Sequence, residues 1–76
     1  MEEFLRFILR ELVELPDELV ITHGRLGEKD VFRVAARKSD IARIIGKGGH
    51  TIQAIRVLLE ASAKKHGGAV VLEIIE

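Results

Sequence analysis

The sequence predicts an α+β fold in which a three-stranded mixed sheet carries three helices on one face. Apolar residues recur at helical spacing near the start, and three short apolar stretches are typical of strands. Two helical segments are joined only by glycine and lysine at residues 46–49. The predicted order is helix–strand–strand–helix–helix–strand, in one domain covering residues 1–76. The crossover through two helices permits the second and last strands to run parallel as neighbours.

The first element is predicted to be an amphipathic helix from Glu2 to Leu15. Its acidic start suits the positive N-terminal end of a helix. Pro16 stops it, because the residue before proline disfavours the α region. Phe7 lies off the apolar stripe, either as a partly buried flank residue or as an exposed contact for a second chain. The stripe at three- and four-residue spacing consists of Phe4, Leu5, Ile8, Leu12 and Leu15.

Two strands are predicted to follow this helix. The first covers Glu18 to Thr22 or so, and the second covers Val31 to Arg37. Between them, residues 23–30 contain two glycines and several charges, which indicates a turn or flexible loop. Alternation in the second strand puts Arg33 and Arg37 on a face or edge that can reach a ligand. The opposite side would pack under the helices through Phe32, Val34 and Ala36.

The second half of the chain is predicted to contain two helices and the last strand. Ser39 or Asp40 is expected to cap a short helix that ends at Ile45. A strand from Ala69 to Ile75 is nearly all apolar, and we expect it to be well covered. The intervening long helix runs from about Gly49 to Lys65 and ends at a glycine pair. Its expected buried residues are Ile52, Ile55, Leu58, Leu59 and Ser62 or Ala63.

The four residues between these helices, Gly46-Lys47-Gly48-Gly49, are the most informative segment. Two helices joined by so short a link must turn sharply, and glycine allows the positive φ values that such a turn needs. Without side-chain bulk, the backbone can approach a ligand closely. Free N–H groups at the start of the second helix favour an anion, and Lys47 adds a mobile positive charge. A phosphodiester is the anion that best fits a shallow surface turn.

The formal net charge of zero hides an asymmetry along the chain. Residues 1–30 carry a net charge of −4, and residues 31–76 carry +4. Between Arg33 and Arg56, six bases face one acid, Asp40. A basic region centred on the glycine link favours a phosphate-binding surface, although a solvated helix face would also be basic.

Composition also bounds the class of protein. The chain has no cysteine and no His/Cys cluster with metal-ligand spacing, so we expect no disulfide, metal or other cofactor. The start, Met-Glu-Glu, is acidic where a signal peptide would be basic. No apolar run approaches the roughly 20 residues of a membrane span. We therefore expect a cytoplasmic protein with no membrane partner.

The residues Ile45 to Gly49, with a helix on each side and a strand on each flank, resemble the KH domain. The hallmark of that family is a Gly-x-x-Gly loop that clamps the backbone of about four nucleotides. A helix before the first strand is the type II arrangement, so the resemblance implies a type II KH fold. Over essentially the whole chain, the sequence resembles the small single-KH bacterial RNA-binding proteins of the KhpA family. The matching segments are Val34-Ala35, Asp40, Ile45-Gly46-Lys47, Gly49, Ala54-Ile55-Arg56 and the Val-rich last strand.

The sequence departs from the family pattern at three places. Ile41-Ala42 stands where Met-Gly is frequent, and Gly48 stands where Gln is common. His50 stands where Arg is common, which removes one fixed charge beside the loop.

The resemblance implies a single-stranded RNA-binding protein of the RNA chaperone or post-transcriptional regulator type, not an enzyme. Gly46, Lys47, Gly48 and Gly49 would contact phosphates, and His50 would add charge with Lys47. The groove would lie between the two helices on one side and the second strand with residues 25–29 on the other. Because aromatic residues are scarce, we expect little stacking on bases.

The resemblance also implies further groove residues, each with a structural alternative. Isoleucines at 41, 44, 45 and 52 would form an apolar floor for bases or pack in the core. Arg56 either contacts RNA or is a structural partner of Asp40 or of a helix carbonyl. Additional contacts to the RNA backbone or to base edges would come from Arg33, Arg37, Lys38 and Arg43. The candidate floor residues are Ile41, Ile44, Ile45 and Ile52.

Partners and rival functions follow from the same residues. The family implies a homodimer or a heterodimer with a larger KH-containing protein, and avidity favours two copies of so small a domain. A nucleotide-binding enzyme is disfavoured because Gly-x-x-x-x-Gly-Lys-Ser/Thr is absent and the glycine run follows a helix. A hydrolase using His23, His50 or His66 with Asp40 lacks a positioned nucleophile, so no small-molecule substrate is expected. The remaining alternative is a protein-interaction module with secondary RNA contacts.

Overall fold

The computed structural model describes residues 1–75 and contains three helices and three strands. The chain begins with helix α1 and, after a 3-10 turn at Pro16–Glu18, forms strands β1 and β2. Helices α2 and α3 are separated by a 3-10 turn at Lys47–Gly49, and strand β3 follows α3. The bounds are α1 Glu2–Leu12, β1 Val20–Leu26, β2 Lys29–Ala35, α2 Lys38–Ile45, α3 His50–Lys65 and β3 Ala69–Ile74.

The sheet has the order β1-β2-β3, with β1 antiparallel to β2 and β2 parallel to β3. The helices cover one face of this sheet, where a single cluster of buried apolar residues joins all three helices to all three strands. The predicted α+β architecture and the parallel pairing of the second and last strands are therefore confirmed. No helix within residues 1–75 is both long and apolar enough to cross a membrane.

Helix α1 is shorter than predicted and buries a different stripe. It ends at Leu12 because Val13 is extended, with φ −91° and ψ 152°. Its fully buried residues are Leu5 and Leu9, whereas the predicted stripe residue Phe4 is 42% exposed. The buried stripe is therefore centred on Leu5 and Leu9, and the predicted stripe did not include Leu9. Phe7 is 65% exposed, which leaves it available for a contact with another chain.

The turn or flexible loop predicted over residues 23–30 is confined to a tight hairpin turn, because both strands extend into the predicted range. Strand β1 continues to Leu26 and β2 starts at Lys29, so only Gly27 and Glu28 remain in the turn. Gly27 has φ +64°, as a two-residue hairpin turn requires at its first position. Backbone pairing therefore continues through the polar residues of the hairpin, where the His23 ring stacks on Phe32 opposite it, with ring centroids 4.4 Å apart.

The predicted cap of α2 by Ser39 or Asp40 is also wrong. The helix begins at Lys38, and no side chain caps it. The Asp40 carboxylate is instead buried and accepts hydrogen bonds from the backbone N–H groups of Glu14 (3.0 Å) and Leu15 (3.1 Å). This carboxylate holds the segment after α1 against the start of α2.

The same contacts perturb the ionisation of Asp40. The N–H of Glu14 is the main cause of a lowered pKa, and the N–H of Leu15 acts in the same direction. Burial opposes this shift, while the charges of Arg37 and Arg43 add to it. The carboxylate therefore stays ionised in the folded protein at neutral pH.

Helix α3 and strand β3 are less covered than predicted. The predicted core residue Leu58 is 50% exposed and its neighbour Val57 is 63% exposed. The buried face of α3 instead consists of Ile52, Ile55, Leu59 and Ala63. In β3 only Leu72 is fully buried, because this strand forms an edge of the sheet.

Candidate nucleic-acid interface

The glycine loop adopts the left-handed backbone that its sequence predicts. Gly46, Gly48 and Gly49 have φ values of 76°, 66° and 77°. A Cβ atom on Gly46 would lie 2.6 Å from the Cβ of Thr51, so this position packs tightly against the start of α3. A Cβ on Gly49 would meet nothing within 4 Å, and one on Gly48 would lie 3.7 Å from the His50 ring. The last two glycines therefore face open space.

Two backbone amides at the tip of the loop are free. The N–H of Gly46 donates to the Ala42 carbonyl and ends α2, at 2.9 Å. The next two engaged amides are those of Gly49 and His50, which donate to the carbonyls of Gly46 and Lys47. The intervening N–H groups of Lys47 and Gly48 have no hydrogen-bond partner within residues 1–75, and both residues are exposed. Two neighbouring donors can therefore bind an anionic ligand.

Cationic side chains near this loop are also unpaired. Lys47 lies on the loop itself, and Lys38 lies at the start of α2. Both are exposed, and neither forms an ion pair in the part of the chain that the structure describes. Arg37 is exposed as well and donates only to the Ser39 hydroxyl, at 3.0 Å. The exposed His50 is the first residue of α3, beside the free amides.

An apolar cavity of about 610 Å³ lies along α2. Its lining includes Ile41 and Ile45, two of the predicted floor residues, together with Lys38. Ile75, just after β3, lines the same cavity. The sequence analysis missed this role because it treated Ile75 as one more residue of a covered strand. The arrangement places an apolar surface and a lysine on the helix that leads to the loop.

The sequence model of the KhpA/KhpB KH-domain family matches residues 2–74. The chain belongs to this family. It is 41% identical over 76 residues to the RNA-binding protein KhpA of Chlamydia pneumoniae. That alignment covers 100% of the chain and 97% of the relative. It is 37% identical to the KhpA of Listeria monocytogenes over the full length of both. The KhpA of Thermotoga maritima is 36% identical over 61 residues, covering 80% of the chain and 81% of that protein.

Three of the predicted floor residues in this KhpA/KhpB-family chain belong to the core. Ile44 is completely buried, and Ile41 and Ile52 are each 5% exposed. All three belong to the buried cluster between helices and sheet, and of the three only Ile41 also reaches the cavity along α2. Helical spacing alone did not separate them, because Ile44 and Ile45 are adjacent and only one of them faces the sheet.

Two predicted arginines of the KH groove are engaged elsewhere. Arg33 lies on the open face of the sheet, since its neighbours in β2 point toward the helices, and its Nε is 3.7 Å from Glu73. Arg43 forms ion pairs with Glu14 and with Asp40, the latter at 3.6 Å. Neither guanidinium is placed beside the glycine loop as a free cation.

The second wall of the predicted groove is also different. The second strand, β2, is central in the sheet, and the hairpin that contains residues 25–29 lies at the other end of that strand from α2. The residues outside α2 that line the cavity are Ala36 and Ile75. Arg56 donates to the backbone carbonyl of Leu72 at 3.2 Å, so its structural partner is a strand carbonyl and not Asp40.

Proposed function

We propose that this KhpA/KhpB-family chain binds single-stranded RNA, with the phosphate backbone held against the Gly46–Gly49 loop. The observation that carries the proposal is the pair of exposed, unpartnered N–H groups of Lys47 and Gly48 beside an unpaired lysine. Backbone amides and a lysine together are a common way to hold a phosphate. The relatives from Chlamydia and Listeria are both named RNA-binding proteins, which supports the same ligand.

The cavity along α2 suits the bases of the same strand. The partly buried Ile45 and the half-exposed Ile75 both line it and offer an apolar surface, while Ile41 is almost entirely buried beneath them. Lys38 and Arg37 lie at the end of α2 opposite the loop and extend the positive charge along the strand. Backbone amides and lysines contact phosphates without reading base edges, so we expect little sequence selectivity. This suits an RNA chaperone or post-transcriptional regulator acting in the cytoplasm.

The proposal is tested by titrating the chain with a fluorescent single-stranded oligonucleotide over a range of salt concentrations. Each phosphate contact lowers the slope of log K against log salt by about 0.7 for single strands. Contacts from Arg37, Lys38 and Lys47 therefore predict a slope of about −2. Absence of binding at low salt would overturn the proposal and favour the protein-interaction module.

We also propose that the chain forms a homodimer or pairs with a larger KH-containing protein. Val57 and Leu58 are adjacent on α3, and both are at least half exposed. A surface of this kind is suited to contact with another chain. One small groove binds weakly, so a second linked groove would raise affinity through avidity. Sedimentation of the wild type and of a Val57→Lys, Leu58→Lys variant tests this: we expect the variant to be monomeric, whereas a monomeric wild type would refute self-association.

A further inference from the structure

Helix α1 exposes two phenylalanine side chains to solvent. Phe7 is 65% exposed and Phe4 is 42% exposed. They are three residues apart, so they lie side by side on one face of the helix. The sequence has no tryptophan or tyrosine, and the remaining phenylalanine, Phe32, is completely buried. The exposed phenyl rings of the chain are therefore concentrated at one place, here called the aromatic pair and consisting of Phe4 and Phe7.

The charges around the aromatic pair are mainly negative. Residues 1–18 contain six acids and two bases, which gives a net charge of −4. Glu3 and Glu11 lie on the same helix as the pair; both are exposed, and neither forms an ion pair in the described part of the chain. Asp17 and Glu18 add two exposed acids just after the helix. A surface of this charge repels RNA phosphates and attracts a basic surface of a protein.

The cavity along α2 has the opposite charge and the matching polarity. Its volume of about 610 Å³ lies within the roughly 300–1,000 Å³ typical of ligand pockets. Ile45 and Ile75 give it an apolar lining, and Lys38 lines it at the start of α2. Lys38 and the neighbouring Arg37 are exposed and form no ion pair within residues 1–75. An exposed phenyl ring flanked by acids thus complements this apolar cavity flanked by bases.

We infer that Phe7 of one copy of this chain inserts into the cavity along α2 of a second copy, and that the inserted ring excludes RNA from that cavity. Within one copy Phe7 is left uncovered, whereas the same chain supplies a cavity of the right polarity and charge. The contact joins two different surfaces, so it is head-to-tail and distinct from pairing through Val57 and Leu58 on α3. The exclusion of RNA rests on the proposed function, because it requires bases of the bound strand to occupy the same cavity. RNA and a second copy therefore compete for one cavity.

The test measures this contact between two complementary variants by nuclear magnetic resonance. The donor chain carries Ala42→Glu, which puts a charged side chain into its own cavity and leaves Phe7 intact. The acceptor chain carries Phe7→Ser, which leaves its cavity intact. Both residues are exposed, so both variants should fold, as circular dichroism checks. The ¹⁵N-labelled donor is titrated with the unlabelled acceptor, and in parallel with a blocked acceptor that carries Phe7→Ser and Ala42→Glu together. Pairing through α3 contributes equally to both titrations.

We expect the acceptor to shift the amide signals of Phe7 and Glu11 in the donor, whereas the hairpin signal of Leu26 stays in place although Leu26 is 74% exposed. The blocked acceptor should bind at least about tenfold more weakly, because the aromatic anchor has lost its pocket. Raising the salt from about 0.1 M to about 1 M should weaken the contact, since the screening length falls from about 10 Å to about 3 Å. Adding an oligouridine of about four nucleotides, the length that a KH loop clamps, should return the Phe7 and Glu11 signals to their free positions.

The possible failures of the contact and of RNA binding are distinguishable. Absence of these shifts, or equal shifts with both titrants, would overturn the inference, leave the RNA proposal untouched and leave the aromatic pair to a different protein. Shifts that persist while fluorescence anisotropy shows RNA bound to the acceptor would overturn the exclusion of RNA. If the acceptor binds no RNA at low salt while the shifts are present, the proposed function fails and the exclusion fails with it, but the contact between copies stands.

Discussion

Replacing both Gly48 and Gly49 by aspartate should abolish RNA binding while the fold survives. Both positions have a left-handed φ, and a Cβ on either meets no atom closer than 3.7 Å. The cost is therefore backbone strain alone, roughly 1–2 kcal/mol per residue and about 2–4 kcal/mol for the pair. A domain of 76 residues is stable by about 4–11 kcal/mol, so most of the protein should remain folded.

The effect on binding comes from charge. A carboxylate about 5–6 Å from a phosphate is repelled by about 0.7–3.3 kcal/mol for effective dielectric constants of 80 to 20. Two carboxylates therefore weaken binding by at least about tenfold, since 1.4 kcal/mol is a factor of ten. The added side chains also occupy the space in front of the free amides of Lys47 and Gly48.

The matched control is Gly48→Asn with Gly49→Asn. Asparagine has nearly the same shape as aspartate and also tolerates the left-handed region, so the ratio of the two affinities isolates the charge. Binding is measured by fluorescence anisotropy, and folding by urea denaturation followed by circular dichroism. A folded aspartate variant that binds RNA as tightly as the asparagine variant would refute the assignment of phosphate to this loop.

Three further predictions concern the support of the site. In urea denaturation, Gly46→Ala should lower the free energy of unfolding by about 1–3 kcal/mol more than Gly27→Ala does. Both substitutions strain a positive φ, but only a Cβ at Gly46 would clash with a neighbouring side chain, that of Thr51. Equal losses would contradict the close packing of Gly46 against Thr51. Because the pKa of Asp40 is lowered in the folded state, the free energy of unfolding of the wild type should fall as pH drops below the usual pKa of 3.8. The Asp40→Asn variant should be less stable than the wild type at neutral pH, and its stability should depend less on acid. Parallel plots of stability against pH for the two proteins would disprove this role of Asp40. Ile44→Ala should lower the free energy of unfolding by about 2–5 kcal/mol, whereas Ile45→Ala should mainly weaken RNA binding. The reverse pattern would contradict the placement of Ile44 in the core and of Ile45 in the RNA-binding cavity.

The order of elements and the glycine loop could be predicted from the sequence because both depend on local features. Periodic apolar residues specify helices and strands, and only glycine adopts the φ values of the turn at Gly46, Gly48 and Gly49 without strain. These predictions required no knowledge of which residues distant in sequence contact each other. The order of elements also indicated that the second and last strands can run parallel as neighbours, which the structure confirms.

The errors arise where a contact across the chain decides the outcome. Asp40 has the residue type and position of a helix cap, but its partners are backbone amides 25 and 26 residues earlier. The hairpin extends through His23 and Arg25 because β2 completes their backbone pairing, which compensates for weak strand propensity. Arg43 sits near the glycine loop in sequence, yet the ion pair with Glu14 depends on how α1 ends. None of these contacts leaves a local signal in the sequence.

The most direct measurement of how RNA meets this chain is a titration of the ¹⁵N-labelled protein with single-stranded oligouridine, followed by amide chemical shifts. We expect the N–H signals of Lys47 and Gly48 to move most, because these donors are exposed and unpartnered in the described part of the chain. The Arg33 amide on the opposite sheet face should stay in place. Bound RNA that leaves Lys47 and Gly48 unshifted while moving residues of the open sheet face would contradict the assignment of the loop as the phosphate site.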